Sequence, residues 1–132
     1  MDKCTQGQEG GWRFYRLFFG SRLTRDAFLS DQVSGVRERP LDAAKRKYWE
    51  GFSVFKTLAQ ARRLAAERRA RARTKGFAWP EESVAEMTIP LDSPILYERS
   101  FRSEGCHTIW GDPDECLTWV TGVFSAVSPH EG

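Results

Sequence analysis

The sequence predicts a single compact α+β domain, in which a central, mostly antiparallel sheet of five or six short strands packs against two to four short helices. Three observations lead to this class. Short segments alternate between apolar and polar residues, helix-capping patterns stand between several of them, and bulky apolar residues are frequent enough for one core. The length of 132 residues fits one domain. We therefore expect residues 12–128 to form the domain, with disordered tails at 1–11 and 129–132.

Composition and charge narrow the class of protein. Hydrophobic residues make up 40% and aromatic residues 13% of the chain, which is enough for a packed core. The formal net charge of +2 is too small to identify a nucleic-acid-binding protein. No apolar run approaches the roughly 20 residues that span a bilayer, and the polar N-terminal segment lacks the apolar core of a secretory signal. Three cysteines without a framework spacing predict reduced thiols, so we expect a cytoplasmic protein that does not enter a membrane.

The aromatic segment Trp12–Phe19 predicts the first strand of the sheet. Strand alternation places Arg16 on the same face as Phe14 and Phe18, while Leu17 belongs to the opposite face. Because both faces are largely apolar, we expect this strand in the middle of the sheet, covered on both sides.

Capping patterns predict helices in the first half of the chain. Thr24 can cap a short helix, and Leu41–Trp49 follows Pro40 with apolar residues at helical spacing. Thr57 begins a capping box that starts a helix running to about Lys75. The segments between these helices are predicted as a loop at 31–39 and a short strand at Phe52–Phe55.

The second half reads as strands around one brief helix. That helix follows Asp112, which can cap it, with Pro113 at the first helical position. The predicted strands are Ser83–Ile89, Ile95–Phe101, Cys106–Trp110 and Trp119–Val127.

Arg16 is the first candidate functional residue. A guanidinium keeps its charge in a protein, and burying it unpaired is costly, so we expect an anion beside it. That anion is either a phosphate of a bound ligand or an internal carboxylate such as Glu98 or Glu86. A third possibility is that the strand ends there and Arg16 faces water.

The segment around Ser53 is the second candidate. A strand that runs into the helix capped by Thr57 presents free amides and a positive dipole end, which suit a phosphate or a ribose. Ser53 would point away from Phe52 and Val54. The alternative is a polar residue on an edge strand beside an ordinary helix cap.

The helix after Thr57 is strongly basic, because Glu67 is its one acid among many arginines. Such a density of positive charge could neutralise backbone phosphates or attract an acidic protein, with Arg62, Arg69 and Arg73 as candidate contacts. No aromatic residue is interleaved in the helix to stack bases. A solvated face with ordinary i,i+4 ion pairs is the alternative.

The histidine and cysteine residues give no clear catalytic or metal-binding pattern. Cys106 and His107 are adjacent, so on a strand they point to opposite faces, and His107 is expected at the core or its rim. The spacing to Cys116 does not suit zinc, and no metal site is predicted. Glu104, where a loop meets the following strand, is an acid/base candidate, with a plain surface glutamate as the alternative.

The order of these features resembles the ADP-ribosyltransferase-like fold, including its small toxin-type members. Arg16 in FYRLFF matches the early-strand arginine of that family, Ser53 in GFSVF matches its strand serine before a helix, and Glu104 in RSEG matches its later glutamate. The likeness runs from Trp12 to Trp110 and rests on single residues. The family's Ser-Thr-Ser pattern and its acid two residues before the glutamate are absent, so Glu98 and Glu86 are rivals for the catalytic position.

The resemblance implies an NAD-using transferase or NAD-glycohydrolase, with NAD as substrate. Arg16, Thr57 and His107 would bind NAD, Ser53 would brace the nicotinamide pocket, and Glu104 would stabilise the oxocarbenium-like transition state. A protein that keeps the fold of this family but has lost its activity is also consistent with the missing family patterns. The alternative function is a non-catalytic binding module that uses the basic helix at 57–75 to dock an acidic protein or nucleic acid.

Overall fold

A computed structural model describes residues 11–30, 40–43, 50–93, 96–99 and 106–127, without the side chains of Cys106 and of 96–99. The elements in these residues are β1 (Trp12–Phe19), a 3-10 helix (Arg25–Phe28), β2 (Phe52–Phe55), α1 (Leu58–Thr74), β3 (Glu82–Ile89), β4 (Leu96–Arg99), β5 (Cys106–Trp110), α2 (Pro113–Thr118) and β6 (Val120–Ser125).

The strands form one six-stranded sheet in the order β4-β5-β2-β1-β3-β6. Every neighbouring pair is antiparallel, which confirms the predicted α+β class with an antiparallel sheet. The consecutive strands β5 and β6 lie on opposite sides of β1, so the connection that carries α2 crosses the sheet from one side to the other.

Strand β1 lies in the interior of the sheet, as its aromatic sequence predicts. It pairs with β3 along its whole length, from Trp12 opposite Ile89 to Phe19 opposite Glu82, and with β2 on its other side. Phe14 is buried in the cluster on one face and Leu17 in the cluster on the other. The two apolar faces of β1 therefore contribute to two separate cores.

The first face of the sheet is covered by the 3-10 helix and α2. Phe28 from the 3-10 helix and Cys116 from α2 are buried against Phe14 and Met87 of the sheet. The predicted caps Thr24 and Asp112 are both present, each accepting from a backbone N–H of its helix.

The second face is covered by α1. Ala61, Ala65 and Ala72 are buried on this helix, and the first two belong to a cluster with Leu17 and Phe55 of the sheet. Alanine lets a helix approach a sheet closely because it carries no long side chain, so the predicted narrow apolar face of this helix is confirmed.

Several predictions lie outside the described residues: the loop at 31–39, most of the helix at 41–49, and the tails apart from Gly11. Leu41, placed at an apolar position of that helix, is almost fully exposed. Gly11, placed in the N-terminal tail, is buried with φ +156°, and a Cβ there would lie 2.1 Å from the Ile89 carbonyl oxygen.

Candidate functional site

Arg16 is half-buried on the first face of the sheet. It contacts the 3-10 helix, which covers this face, and the neighbouring strand β2. Its Nε donates to the carbonyl oxygen of Ala27 at 2.7 Å, and its Nη1 donates to the carbonyl oxygen of Ser53 at 2.9 Å. The guanidinium carbon also lies 5.1 Å from the ring centroid of Phe52, which is a cation–π distance. Arg16 therefore links the 3-10 helix to β2.

Both of these acceptors are neutral carbonyl oxygens, and the sequence led us to expect an anion beside Arg16. Glu86, one of the predicted carboxylate partners, lies opposite Tyr15 on the second face of the sheet. There it accepts hydrogen bonds from the hydroxyls of Tyr15 at 3.1 Å and Thr121 at 2.8 Å. The side chain of Glu98 is outside the described part of the chain. Sequence reasoning missed that a turn of the 3-10 helix would supply a carbonyl group to Arg16.

Ser53 meets Arg16 through its backbone and not through its hydroxyl. Phe52 and Val54 flank Ser53 in β2 and are buried in the cluster on the first face, whereas Ser53 is exposed. Strand alternation therefore directs the Ser53 side chain to the second face. The Arg16 guanidinium and the Ser53 hydroxyl lie on opposite sides of the sheet.

The Thr57 hydroxyl serves the N-terminus of α1. Its Oγ1 accepts from the backbone N–H of Gln60 at 3.1 Å, and the Gln60 Oε1 accepts from the backbone N–H of Thr57 at 3.3 Å. The predicted capping box is confirmed, and the contact gives this hydroxyl a structural role.

Replacing Thr57 with alanine removes one half of the capping box. We expect Thr57→Ala to lower the free energy of unfolding by about 1 kcal/mol, because an amide in the first turn of α1 loses its acceptor. Urea unfolding measures the change, and Thr57→Ser, which keeps the oxygen, should retain most of the stability. Equal stability of the alanine and wild-type proteins would show that the cap contributes nothing.

His107 is a core residue, as its position beside Ile109 led us to expect. The side chain is buried opposite Val54, and its ring centroid lies 5.4 Å from that of Phe14. The predicted catalytic Glu104 lies outside the described residues. Of the residues that the ADP-ribosyltransferase resemblance selects, Arg16 and His107 share a face of the sheet, while the Ser53 side chain does not.

Cys116 is a buried thiol on α2, which packs against the first face of the sheet. Burial, reinforced by the negative charges of Glu115 and Asp112, raises the pKa of this thiol to about 12, although a backbone hydrogen bond and the charge of Arg16 act in the opposite direction. A thiol with such a pKa stays protonated at neutral pH, so Cys116 lacks the thiolate character of a catalytic nucleophile.

The raised pKa of Cys116 makes stability depend on alkaline pH. Because the folded-state pKa lies above the value of 9.0 expected without burial, the stabilising effect is complete below that value and is lost as the pH rises towards 12. Between about pH 9 and about pH 10, wild-type protein should lose roughly 1 kcal/mol more of its free energy of unfolding than Cys116→Ala. Urea unfolding across this range tests the difference, and parallel pH profiles for the two proteins would contradict it.

Two negative findings concern metals and membranes. Within the described residues, no three His, Cys, Asp or Glu side chains are grouped closely enough to hold a metal ion. None of the helices in this part of the chain has the length and apolar character needed to cross a membrane.

The basic residues of α1 divide into those engaged with the fold and those that face outward. Arg62 donates from Nε to the Ser125 carbonyl oxygen at 3.1 Å, and Arg68 forms an ion pair with Glu82 at 3.1 Å. Arg69 is half-buried. The remaining basic residues of the helix and its C-cap are exposed: Arg63, Arg71, Arg73 and Lys75. Of the three predicted contact residues, Arg73 is therefore the most accessible.

Three exposed aromatic rings lie at the C-terminal end of this helix. Phe19 and Phe77 are exposed by 56% and 66%, and Trp79 packs edge-on against Phe19 with ring centroids 5.7 Å apart. We call these rings, together with Arg71 and Lys75, the aromatic–basic corner. Nothing in the sequence around Phe19 indicated that its ring would lie beside that of Trp79.

Comparison with known proteins adds no assignment. The chain matches no known protein family, and no curated protein or solved structure is significantly similar to it.

Proposed function

We propose that this protein is a non-catalytic binding module that docks an anionic partner with the exposed basic surface of α1. The observation that carries the proposal is the distribution of charge on this helix. Its alanine face is buried against the sheet, and Arg63, Arg71 and Arg73 face outward with Lys75 at the C-cap. A dense cluster of exposed cations attracts anionic partners over distances beyond direct contact.

Acidic residues offset little of this charge. Glu67 is the single acid within α1, and Glu82 is already paired with Arg68. Arg68 and Arg62 bond to the fold itself, so the cations that support docking are the exposed ones.

Charge reversal tests the proposal directly. We expect Arg63→Glu and Arg73→Glu each to weaken binding to heparin and to polyglutamate, used as anionic probes, and wild-type binding to fall as salt rises. Arg22→Glu is the matched control, because Arg22 is an exposed arginine outside the helix. A salt-independent response, or an equal loss with Arg22→Glu, would remove the proposed role of α1.

An ADP-ribosyltransferase-like reaction on NAD is the second candidate. The observation that favours it is the position of Arg16, a half-buried cation on an interior strand, as the resemblance requires. The hydrogen bonds from Arg16 to the carbonyls of Ala27 and Ser53 also give this residue a structural role. Two other residues expected to bind NAD give the reaction less support, because Thr57 caps α1 and the Ser53 side chain points to the opposite face of the sheet.

A thermal-shift titration separates the two candidates. A ligand that binds only the folded state stabilises it by roughly 2.7 kcal/mol at 100 times its dissociation constant. We expect no shift with millimolar NAD. A shift that disappears in Arg16→Lys would favour the NAD-using reaction over the binding module.

A further inference from the structure

The aromatic–basic corner combines two features that are uncommon on one surface of a globular domain. Phe19 and Phe77 expose more than half of their surface, although large aromatic side chains usually bury most of theirs. Basic side chains stand on the adjoining end of α1. The corner thus presents ring faces and positive charges together.

The rings are held in place by the fold. Trp79 donates from Nε1 to Glu82 Oε1 at 2.9 Å, and Arg68 donates from Nη1 to Glu82 Oε2 at 3.1 Å. The Glu82 side chain is only 2% exposed, so it is a fixed acceptor that connects Trp79 to α1. A ring that is already fixed loses little conformational freedom when a ligand stacks on it.

The backbone next to Phe19 and Phe77 is fixed by hydrogen bonds as well. Gly20, directly after Phe19, donates its backbone N–H to the Glu81 carbonyl at 2.7 Å, and its own carbonyl accepts from the Ser83 hydroxyl at 2.6 Å. Phe77 donates its backbone N–H to the Ala72 carbonyl of α1 at 2.8 Å. The three rings therefore sit on segments tied to the sheet and to the helix.

The cations are correctly placed to accompany these rings. Residues three and four apart share one side of a helix, so Arg68, Arg71 and Lys75 lie along the same side of α1. Arg68 marks this side as the one facing Trp79, because both side chains bond to Glu82. Since Arg68 is engaged by Glu82, Arg71 and Lys75 are the charges available to a ligand on this side.

The chemistry of this corner fits an unpaired nucleic acid strand better than other anions. Bases of a single strand stack on aromatic side chains while cations follow the phosphates, and stacking tolerates any base sequence. In a duplex the bases are already stacked on each other, so exposed rings would add little. An acidic polypeptide would use the cations and leave the rings without a function.

We propose that the aromatic–basic corner binds single-stranded nucleic acid, with bases stacked on Phe19, Phe77 and Trp79 and phosphates beside Arg71 and Lys75. This inference rests on the proposed docking of an anionic partner by α1 and names the class of that partner.

Fluorescence anisotropy with a labelled single strand of about 12 nucleotides tests the inference, a length within the range that such sites cover. We expect Phe19→Ala and Phe77→Ala each to weaken binding at least about fivefold, which corresponds to the lower limit for loss of one stacked base. Leu91→Ala is the matched control, because Leu91 is exposed by 56%, as Phe19 is, and lies outside the corner. Arg71→Ala should reduce the salt dependence of binding by about one phosphate contact.

A duplex of the same length and polyglutamate, measured in parallel, separate this inference from the proposed function. Weaker binding of the duplex, together with a loss of single-strand binding in Phe19→Ala and Phe77→Ala but not in Leu91→Ala, supports the corner. Equal binding of both nucleic acids with unaffected ring variants, or binding of polyglutamate alone, overturns the inference and leaves the docking role of α1 intact. Failure of the folded protein to bind any of the three probes overturns both.

Discussion

Replacing Arg16 with methionine is expected to lower the free energy of unfolding by about 3–5 kcal/mol, because hydrogen bonds to charged groups contribute about 1.5–3 kcal/mol each. Two such bonds join Arg16 to the carbonyls of Ala27 and Ser53. Methionine preserves much of the aliphatic packing but leaves both carbonyls without this donor. It also removes the cation–π contact with Phe52.

Urea unfolding of Arg16→Met and Arg16→Lys tests this role. Lysine keeps the positive charge but cannot span two carbonyl groups with a planar fork, so we expect an intermediate loss of stability. The dependence of the free energy on urea should stay unchanged if only the native state is affected. A loss below about 1 kcal/mol for the methionine variant would mean that Arg16 does not hold the 3-10 helix and β2 together.

Arg68→Ala should have the second large effect, a loss of about 3 kcal/mol. The Glu82 carboxylate is buried and the Arg68 side chain is partly exposed, so removing Arg68 leaves an uncompensated charge in the interior, which is usually worse than removing both partners. Glu82 is buried and would keep only the Trp79 hydrogen bond. We expect this loss in urea unfolding measured at neutral pH.

A double-mutant cycle identifies the cause. Glu82→Gln removes the charge while keeping an oxygen for Trp79, so the double variant with Arg68→Ala should be more stable than Arg68→Ala alone. If the two substitutions are additive, the carboxylate is not destabilised by losing Arg68, and the contact between these residues is a surface ion pair of little weight.

The parts of the fold that sequence predicts well are those with local signals. The alternating aromatics of β1 and the box formed by Thr57 and Gln60 are each contained within a few residues, and the structure has both. The alanine face of α1 is also predictable from the sequence, because helical spacing alone brings Ala61, Ala65 and Ala72 to one side of the helix.

The arrangement of polar groups was not predictable in the same way. The carbonyls that receive Arg16 come from positions 11 and 37 residues away in the sequence, and nothing local to Arg16 specifies them. The aromatic–basic corner likewise requires β1 to end beside the segment that follows α1. Gly51 is another example, because a Cβ there would lie 2.7 Å from the Ile109 carbonyl oxygen, a contact set by strand order.

The connection from β5 to β6 has a consequence for the kinetics of folding. It crosses three intervening strands, about 19 Å at the usual spacing between strands, and carries α2 across the first face. This crossing segment can dock only after the pairs around β1 exist, because its buried Cys116 packs against residues from those strands. These contacts join residues that are far apart in the sequence, such as Cys116 and Phe14, and ordering the chain between them is entropically costly. The transition state should therefore contain the sheet interior, with the crossing segment docking late.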